Sequence, residues 1–138
     1  NATPAARMMI DPSGRTIDFQ AFHDAAIRVA RGLAKLGIGP DDVVSWMLPT
    51  WLESMVLVAA LSRLGAIQNP ILPIYREREV RFISEQCQPR LLVTPPAWRG
   101  FDYPAMARTI GWMGSCVRAC RARTAKPGFV ISSTSGAA

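Results

Sequence analysis

Between Pro40 and Ile71 the hydrophobic period changes twice, from a short apolar run to a helical pattern and back again, and few folds accommodate that succession. Val43-Val44-Ser45-Trp46-Met47-Leu48 is almost continuously apolar, the pattern of a strand covered on both faces. Thr50 stands where a helix N-cap belongs, and Glu53 three residues on can reach back to the N–H of the cap, which is the capping-box pattern. The spacing predicts a helix over Trp51 to Leu64, closed by Gly65-Ala66, and a second strand from Ala66 to Gln68 that continues toward Ile71. A strand, one helix and another strand in succession form a right-handed crossover, so these two strands run parallel.

The same alternation extends to either side. Asp18 is the N-cap of a first helix over Phe19 to Leu36, in which Phe22, Ala26, Val29, Ala30, Leu33 and Leu36 make one apolar stripe. Gly37 just past the stripe stops it in the left-handed conformation that glycine adopts freely, and Pro40 prevents its continuation. The helix from Trp51 is apolar around most of its circumference and is therefore expected to be covered. After the proline-punctuated Asn69 to Pro73, a charged helix over Arg76 to Gln86 buries only Val80, Ile83 and Phe82, and Leu91-Leu92-Val93 is a third strand, ended by Pro95-Pro96. Asn1 to Arg15 reads as a loop-like lead-in with one short strand at Met8 to Ile10. The fold class is α/β: a partial Rossmann-like, mostly parallel sheet with flanking helices.

At 138 residues the chain holds at most one domain, and 49% hydrophobic with 19% charged residues is ordinary for a folded protein. Its net charge of +6 suggests nucleic acid until the charges are placed. All but one of the excess positives lie beyond Ala107, on Arg108, Arg118, Arg121, Arg123 and Lys126, where no acid accompanies them. Ile110 to Lys126 has neither period and finds no place in the sheet, while Phe129-Val130-Ile131 is a candidate for one more short strand. Residues 108–138 are thus read as an irregular basic tail, out of frame or disordered. The rival reading is a small stand-alone α/β binding module whose tail, with Trp112 to stack on a base, grips nucleic acid or an acidic partner. No recognition fold accompanies the charge, and no specific nucleic acid is expected.

Other chemistry is sparse. Gly37-Ile38-Gly39 closes a helix and has no third glycine, so it is a helix stop and not a dinucleotide loop. His23, the only histidine, has no serine or cysteine placed to form a dyad and reads as a surface residue. Cys116 and Cys120 would have to recruit Cys87 and His23 from unrelated elements to hold zinc, so no metal is expected. Glu77 and Glu79 are explained by pairing with Arg76, Arg78 and Arg81. Three cysteines at no scaffold spacing fit a reducing cytoplasm, and the longest apolar stretch, Met55 to Leu61, falls well short of the ~20 residues a membrane span needs.

From Arg15 to Ala107 the chain resembles the N-terminal part of the AMP-forming acyl-CoA synthetases, the adenylate-forming superfamily. Asp18-Phe19-x-x-Phe22 is similar to that family's Thr-Tyr-x-x-Leu, and Leu33 to Val44 to its Leu-x-x-x-Gly-Val-x-x-Gly-Asp-x-Val. Pro49-Thr50-Trp51-x-Glu53 resembles its Pro-Asn-x-x-Glu, Gly65-Ala66-Ile67-Gln68-Asn69-Pro70 its Gly-Ala-x-x-x-Pro, and Glu79-Val80 its Glu-Leu. Trp98-Arg99-Gly100-Phe101-Asp102-Tyr103 resembles the fatty-acid and cyclic-acid ligase branch. Asp41 stands where the family usually has Gly, Thr50 where it has Asn, and Asp18 where it has Thr.

The resemblance implies an ATP-dependent acid–CoA ligase: a carboxylic acid attacks the α-phosphate of Mg-ATP to give an acyl-adenylate, and coenzyme A then takes the acyl group. ATP, Mg2+ and coenzyme A are the implied cofactors of the full-length family. Thr134-Ser135-Gly136 is similar to the first residues of the family's phosphate loop, but Ala137-Ala138 follow where Thr-Thr-Gly would, and Lys126 lies on the wrong side. No catalytic, cofactor-binding or metal residue is therefore assigned, and residues 1–107 are expected to form a partial subdomain, inactive alone.

Overall fold

The structure, a computed structural model, describes residues 3–112 and 115–118. In chain order the elements are β1 (Arg7–Ile10), β2 (Thr16–Asp18), α1 (Phe19–Lys35), β3 (Val43–Trp46), α2 (Leu52–Leu64), β4 (Ile67–Pro70), α3 (Glu77–Cys87), β5 (Leu91–Thr94), β6 (Ala97–Trp98), β7 (Phe101–Asp102), α4 (Tyr103–Thr109) and β8 (Ser115–Arg118). Four strands make a parallel sheet in the order β4-β3-β5-β8, and two short antiparallel hairpins, β1-β2 and β6-β7, flank it. The strand order reverses between β3 and β5, because α2 carries the chain from β3 outward to β4 while α3 carries it back across β3 to β5.

Successive strand residues face opposite sides of a sheet, and the core divides accordingly. Val44, Leu91 and Val93 pack under α1 and α2 with Val29, Leu33, Val56, Leu57, Ala60 and Leu61. Met47 and Leu92 pack on the other side with Val80, Tyr103, Met106 and Ala107. Helices on both faces explain why β5 is buried along its whole length.

Asp18 caps α1 as the sequence predicts, its carboxylate accepting from the Ala21 N–H at 2.7 Å. Gly37, at φ +82°, turns the chain beyond α1, and a side chain there would meet the Arg90 guanidinium at 3.0 Å. Of α2 only Ser62 and Arg63 are exposed, as its apolar circumference requires. Pro70, which lacks an N–H, ends the outer strand β4.

Four expectations are corrected. The cap of α2 is Trp51, not Thr50, and Ser54 takes the reciprocal position, its hydroxyl accepting from the Trp51 N–H at 3.3 Å. Glu53 is drawn instead into a buried ion pair. Phe82 is 63% exposed: it lies two residues, about 200° of helix, from Val80, on the far side of α3. The lead-in is a hairpin with two strands, because Asp11 accepts from the Ser13 and Arg15 N–H groups at 2.9 and 3.1 Å and closes a turn that the proline and glycine alone do not specify. Beyond Ala107, α4 runs on to Thr109 and Ser115–Arg118 joins the sheet beside β5, a parallel pairing invisible to local periodicity. Cys120, the candidate strand at 129–131 and Thr134-Ser135-Gly136 lie outside the described residues. No helix among the described residues is long and apolar enough to cross a membrane.

Candidate functional site

In an open parallel sheet the crevice beyond the carboxyl ends of the strands, near the reversal of strand order, is where ligands fit. Here those ends frame a cavity of about 420 Å³. Trp46 ends β3 and Pro70 ends β4; Leu48, Pro49 and Thr50 come from the connection into α2, and Leu72 and Pro73 from the connection toward α3. Trp98 of the β6-β7 hairpin closes one side. The walls are mostly apolar, so the cavity suits an acyl or alkyl chain in preference to a triphosphate.

The hairpin is built to hold a cation at this rim. Residues 99 and 100 form its two-residue loop, with φ +51° at Arg99 and +77° at Gly100, the signs a type I′ turn demands. Glycine meets that demand freely; arginine does so at a cost. The Arg99 guanidinium lies 4.6 Å from the centre of the Trp98 ring, and that of Arg76 lies 4.0 Å from the centre of Phe101 on the facing strand. Both the Arg76 Nη1 and the Tyr103 hydroxyl donate to the Pro73 carbonyl, at 3.0 and 2.8 Å, and so fix the cavity's second wall to the hairpin. Burial pushes the Tyr103 hydroxyl up from its ordinary pKa, against the pull of Arg76, which keeps it a donor.

Among the described residues three buried side-chain polar atoms lack a hydrogen-bond partner: Trp46 Nε1, Ser84 Oγ and Thr94 Oγ1. Two of the three belong to the last residues of β3 and β5, the strands on either side of the reversal.

The first wall rests on an ion cluster. Glu53 is fully buried at the start of α2, and Arg15, from β2's approach, grips it with a fork: Nη1 to Oε1 and Nη2 to Oε2, both 2.8 Å. The Arg15 Nε donates to Asp11 Oδ2, also at 2.8 Å. Burial works to raise the Asp11 carboxyl, but hydrogen bonds from Ser13 and Arg15 outweigh it and bring the pKa down to about 2. The Glu53 carboxylate pushes the Arg15 guanidinium above its ordinary value, so this cation stays charged.

The residues weighed from the sequence fall elsewhere. His23 is exposed on α1 with its Nδ1 2.9 Å from Arg63, and Cys87 is exposed at the end of α3. Glu79 accepts from the Arg76 N–H and helps to cap α3. Trp112 packs against the second core cluster. Neither the cavity nor the Arg15–Glu53 pair was found by sequence reasoning; the arginine in an Arg-Gly hairpin turn was the one local signal available.

Among known proteins, the medium-chain fatty-acid–CoA ligase of Escherichia coli (strain K12) is 29% identical over 98 residues, 71% of this chain and 17% of that protein. The 2,3-dihydroxybenzoate-AMP ligase of Bacillus subtilis (strain 168) is 38% identical over 85 residues, 62% of this chain and 16% of its own length. The chain therefore spans about a sixth of the length of these relatives. The O-succinylbenzoate coenzyme A synthetase of Bacillus subtilis, solved with AMP, shares the fold at a TM-score of 0.70 and 20% identity, over 84% of this chain and 28% of that one. Residues 1–128 match the AMP-binding enzyme family, which reaches past the sequence resemblance at both ends, and this chain belongs to that family of adenylate-forming enzymes.

Proposed function

We propose that the chain is the N-terminal portion of an ATP-dependent acid–CoA ligase and that its cavity receives the coenzyme A arm. In that reaction a carboxylate oxygen bonds to the α-phosphorus of ATP as pyrophosphate leaves, and the thiol sulfur then bonds to the acyl carbon as AMP leaves. The observation that carries the assignment is the mostly apolar cavity at the carboxyl ends of β3 and β4, walled by Trp98 with the Arg99 guanidinium stacked on its ring. A pantetheine arm alternates methylene and gem-dimethyl groups with two amides and leads at one end to phosphates, so its apolar stretches can lie along the walls while its anionic end meets the cation at the rim. The Trp46 indole lines the cavity, and its unpartnered Nε1–H can donate to an amide carbonyl of the arm.

The adenylation step belongs to residues other than those described. Among the described residues no three His, Cys, Asp or Glu side chains come together, so no magnesium site is assigned and no step is routed through one. The isolated 138 residues are accordingly read as scaffold without turnover. The acid is read as a fatty or cyclic one, supported by the run Trp98 to Tyr103, and the location as cytoplasmic, supported by the free, exposed Cys87.

Acid-dependent ATP–pyrophosphate exchange and coenzyme A calorimetry test the two halves. No exchange with coenzyme A retained is the expected result. Robust exchange overturns the reading as inactive scaffold, and failure to retain coenzyme A overturns the cavity assignment.

A further inference from the structure

We infer that Arg15 is a positioning residue for the cavity: by gripping Glu53 it pins the β1-β2 hairpin to the first turn of α2 and holds the cavity wall at Leu48 to Ser54 in place. Glu53 makes no lining contact itself, yet its neighbours Thr50, Ser54 and Met55 all line the cavity. Ser54 is the hinge of that wall. Its hydroxyl donates to the Pro49 carbonyl and accepts from the Trp51 N–H, while the Ser54 N–H donates to the Trp51 carbonyl at 3.2 Å. A shift of the first turn of α2 therefore moves Pro49 and Thr50 with it.

A fully buried carboxylate is an expensive way to gain stability, because an apolar pair of similar volume often does as well. What the ion pair supplies and an apolar pair does not is direction. The two parallel N–H to oxygen bonds fix the carboxylate plane, and with it the azimuth of the helix's first turn. Arg15 is held in turn by Asp11, whose side chain is 1% exposed and which also takes the Ser13 hydroxyl at 2.6 Å. Lysine would offer a point charge without the fork.

The test uses the Arg15→Met/Glu53→Met double variant and Arg15→Lys, with urea unfolding, hydrogen exchange and coenzyme A calorimetry. The double variant is expected to recover most of the midpoint that Arg15→Met alone loses, the remainder reflecting Asp11, which keeps its Ser13 and backbone N–H partners but loses the Arg15 side chain. The Trp51 and Ser54 amides should exchange about tenfold faster, with the β3 and β5 amides unchanged, as a local opening separate from global unfolding. The coenzyme A dissociation constant should rise about tenfold, and Arg15→Lys should follow it in both local readouts. Exchange that is unchanged, or that rises equally in β3 and β5, overturns the positioning role.

The coenzyme A arm rests on the proposed function, whereas the exchange arm does not. Wild-type protein that binds no coenzyme A refutes the ligand while local exchange still decides on Arg15. Should the double variant fail to fold, Glu53→Gln, which keeps the volume but removes the charge and one of the two acceptors of the fork, gives the same two exchange outcomes.

Discussion

The two ends of the parallel sheet are finished differently. At the amino ends of the strands, Asp42 accepts from the Gly39 N–H at 2.7 Å and from Arg90 at 3.0 and 3.1 Å, while the Arg90, Asp41 and Ile67 N–H groups donate to the Val43, Gly65 and Asp42 carbonyls. The Gly39 N–H, and then Arg90, hold the Asp42 carboxyl below its ordinary pKa. At the carboxyl ends stand a cavity, two unpartnered polar atoms and an arginine in a left-handed turn. The amino end is tied down by these bonds around Asp42, with only Ser84 Oγ near the end of α3 left without a partner among the buried side chains described there, and the carboxyl end leaves capacity for a ligand. The Arg15–Glu53 pair is the exception, a strong interaction placed at the open end.

Breaking that exception has the largest expected effect. Arg15→Met alone strands a buried carboxylate, which costs about 3–5 kcal/mol in urea unfolding, whereas the double methionine variant recovers most of it. Equal losses in the single and double variants would mean that packing around Arg15, not the charge pair, supplies the stability.

Acid probes the same cluster from the Asp11 side. Its folded-state pKa of about 2 lies below the ordinary 3.8, so its contribution is fully present above roughly pH 4 and is lost as pH falls toward 2. The loss is on the order of 2 kcal/mol, and Asp11→Asn should flatten that part of the stability profile. A variant profile as steep as the wild type would assign the acid lability to other carboxylates.

How much of this the sequence disclosed follows the range of each interaction. The first helix, with Asp18 before it and Gly37 after it, was legible because caps and stripes are written within a few residues. Parallel alternation was legible because each strand buried on both faces must read as an apolar run. Glu53 was misread because Thr50 and Glu53 satisfy a local pattern, while the partner that claims the carboxylate is Arg15, far upstream. Strand β8 was missed since Ser-Cys-Val-Arg has no period of its own and exists through pairing with β5. The cavity was hidden for the same reason: its walls come from two separate connections and from the β6-β7 hairpin.

At the closed end, Gly37→Ala should cost about 1–2 kcal/mol, through a left-handed alanine and its contact with the Arg90 guanidinium, and leave coenzyme A binding alone. Weakened binding would show that the two ends are coupled through the sheet.

The smallest effects separate the ends most sharply, because non-glycine residues hold left-handed turns at both, Asp41 and Gln88 at the closed end and Arg99 at the open one. Asp41, at φ +63°, stands where the resemblance places glycine, and Arg99, at +51°, sits in the hairpin loop. Replacing either with glycine relieves the same backbone strain, so each variant should gain about 0.5 kcal/mol in unfolding after the flexibility of glycine in the unfolded chain is offset. Their binding should diverge: Asp41→Gly keeps coenzyme A affinity, while Arg99→Gly lowers it severalfold because the cation stacked on Trp98 is gone. A residue that strains the backbone and whose removal costs only affinity is one kept for the ligand, and identical affinity in the two variants would make Arg99 a mere turn residue.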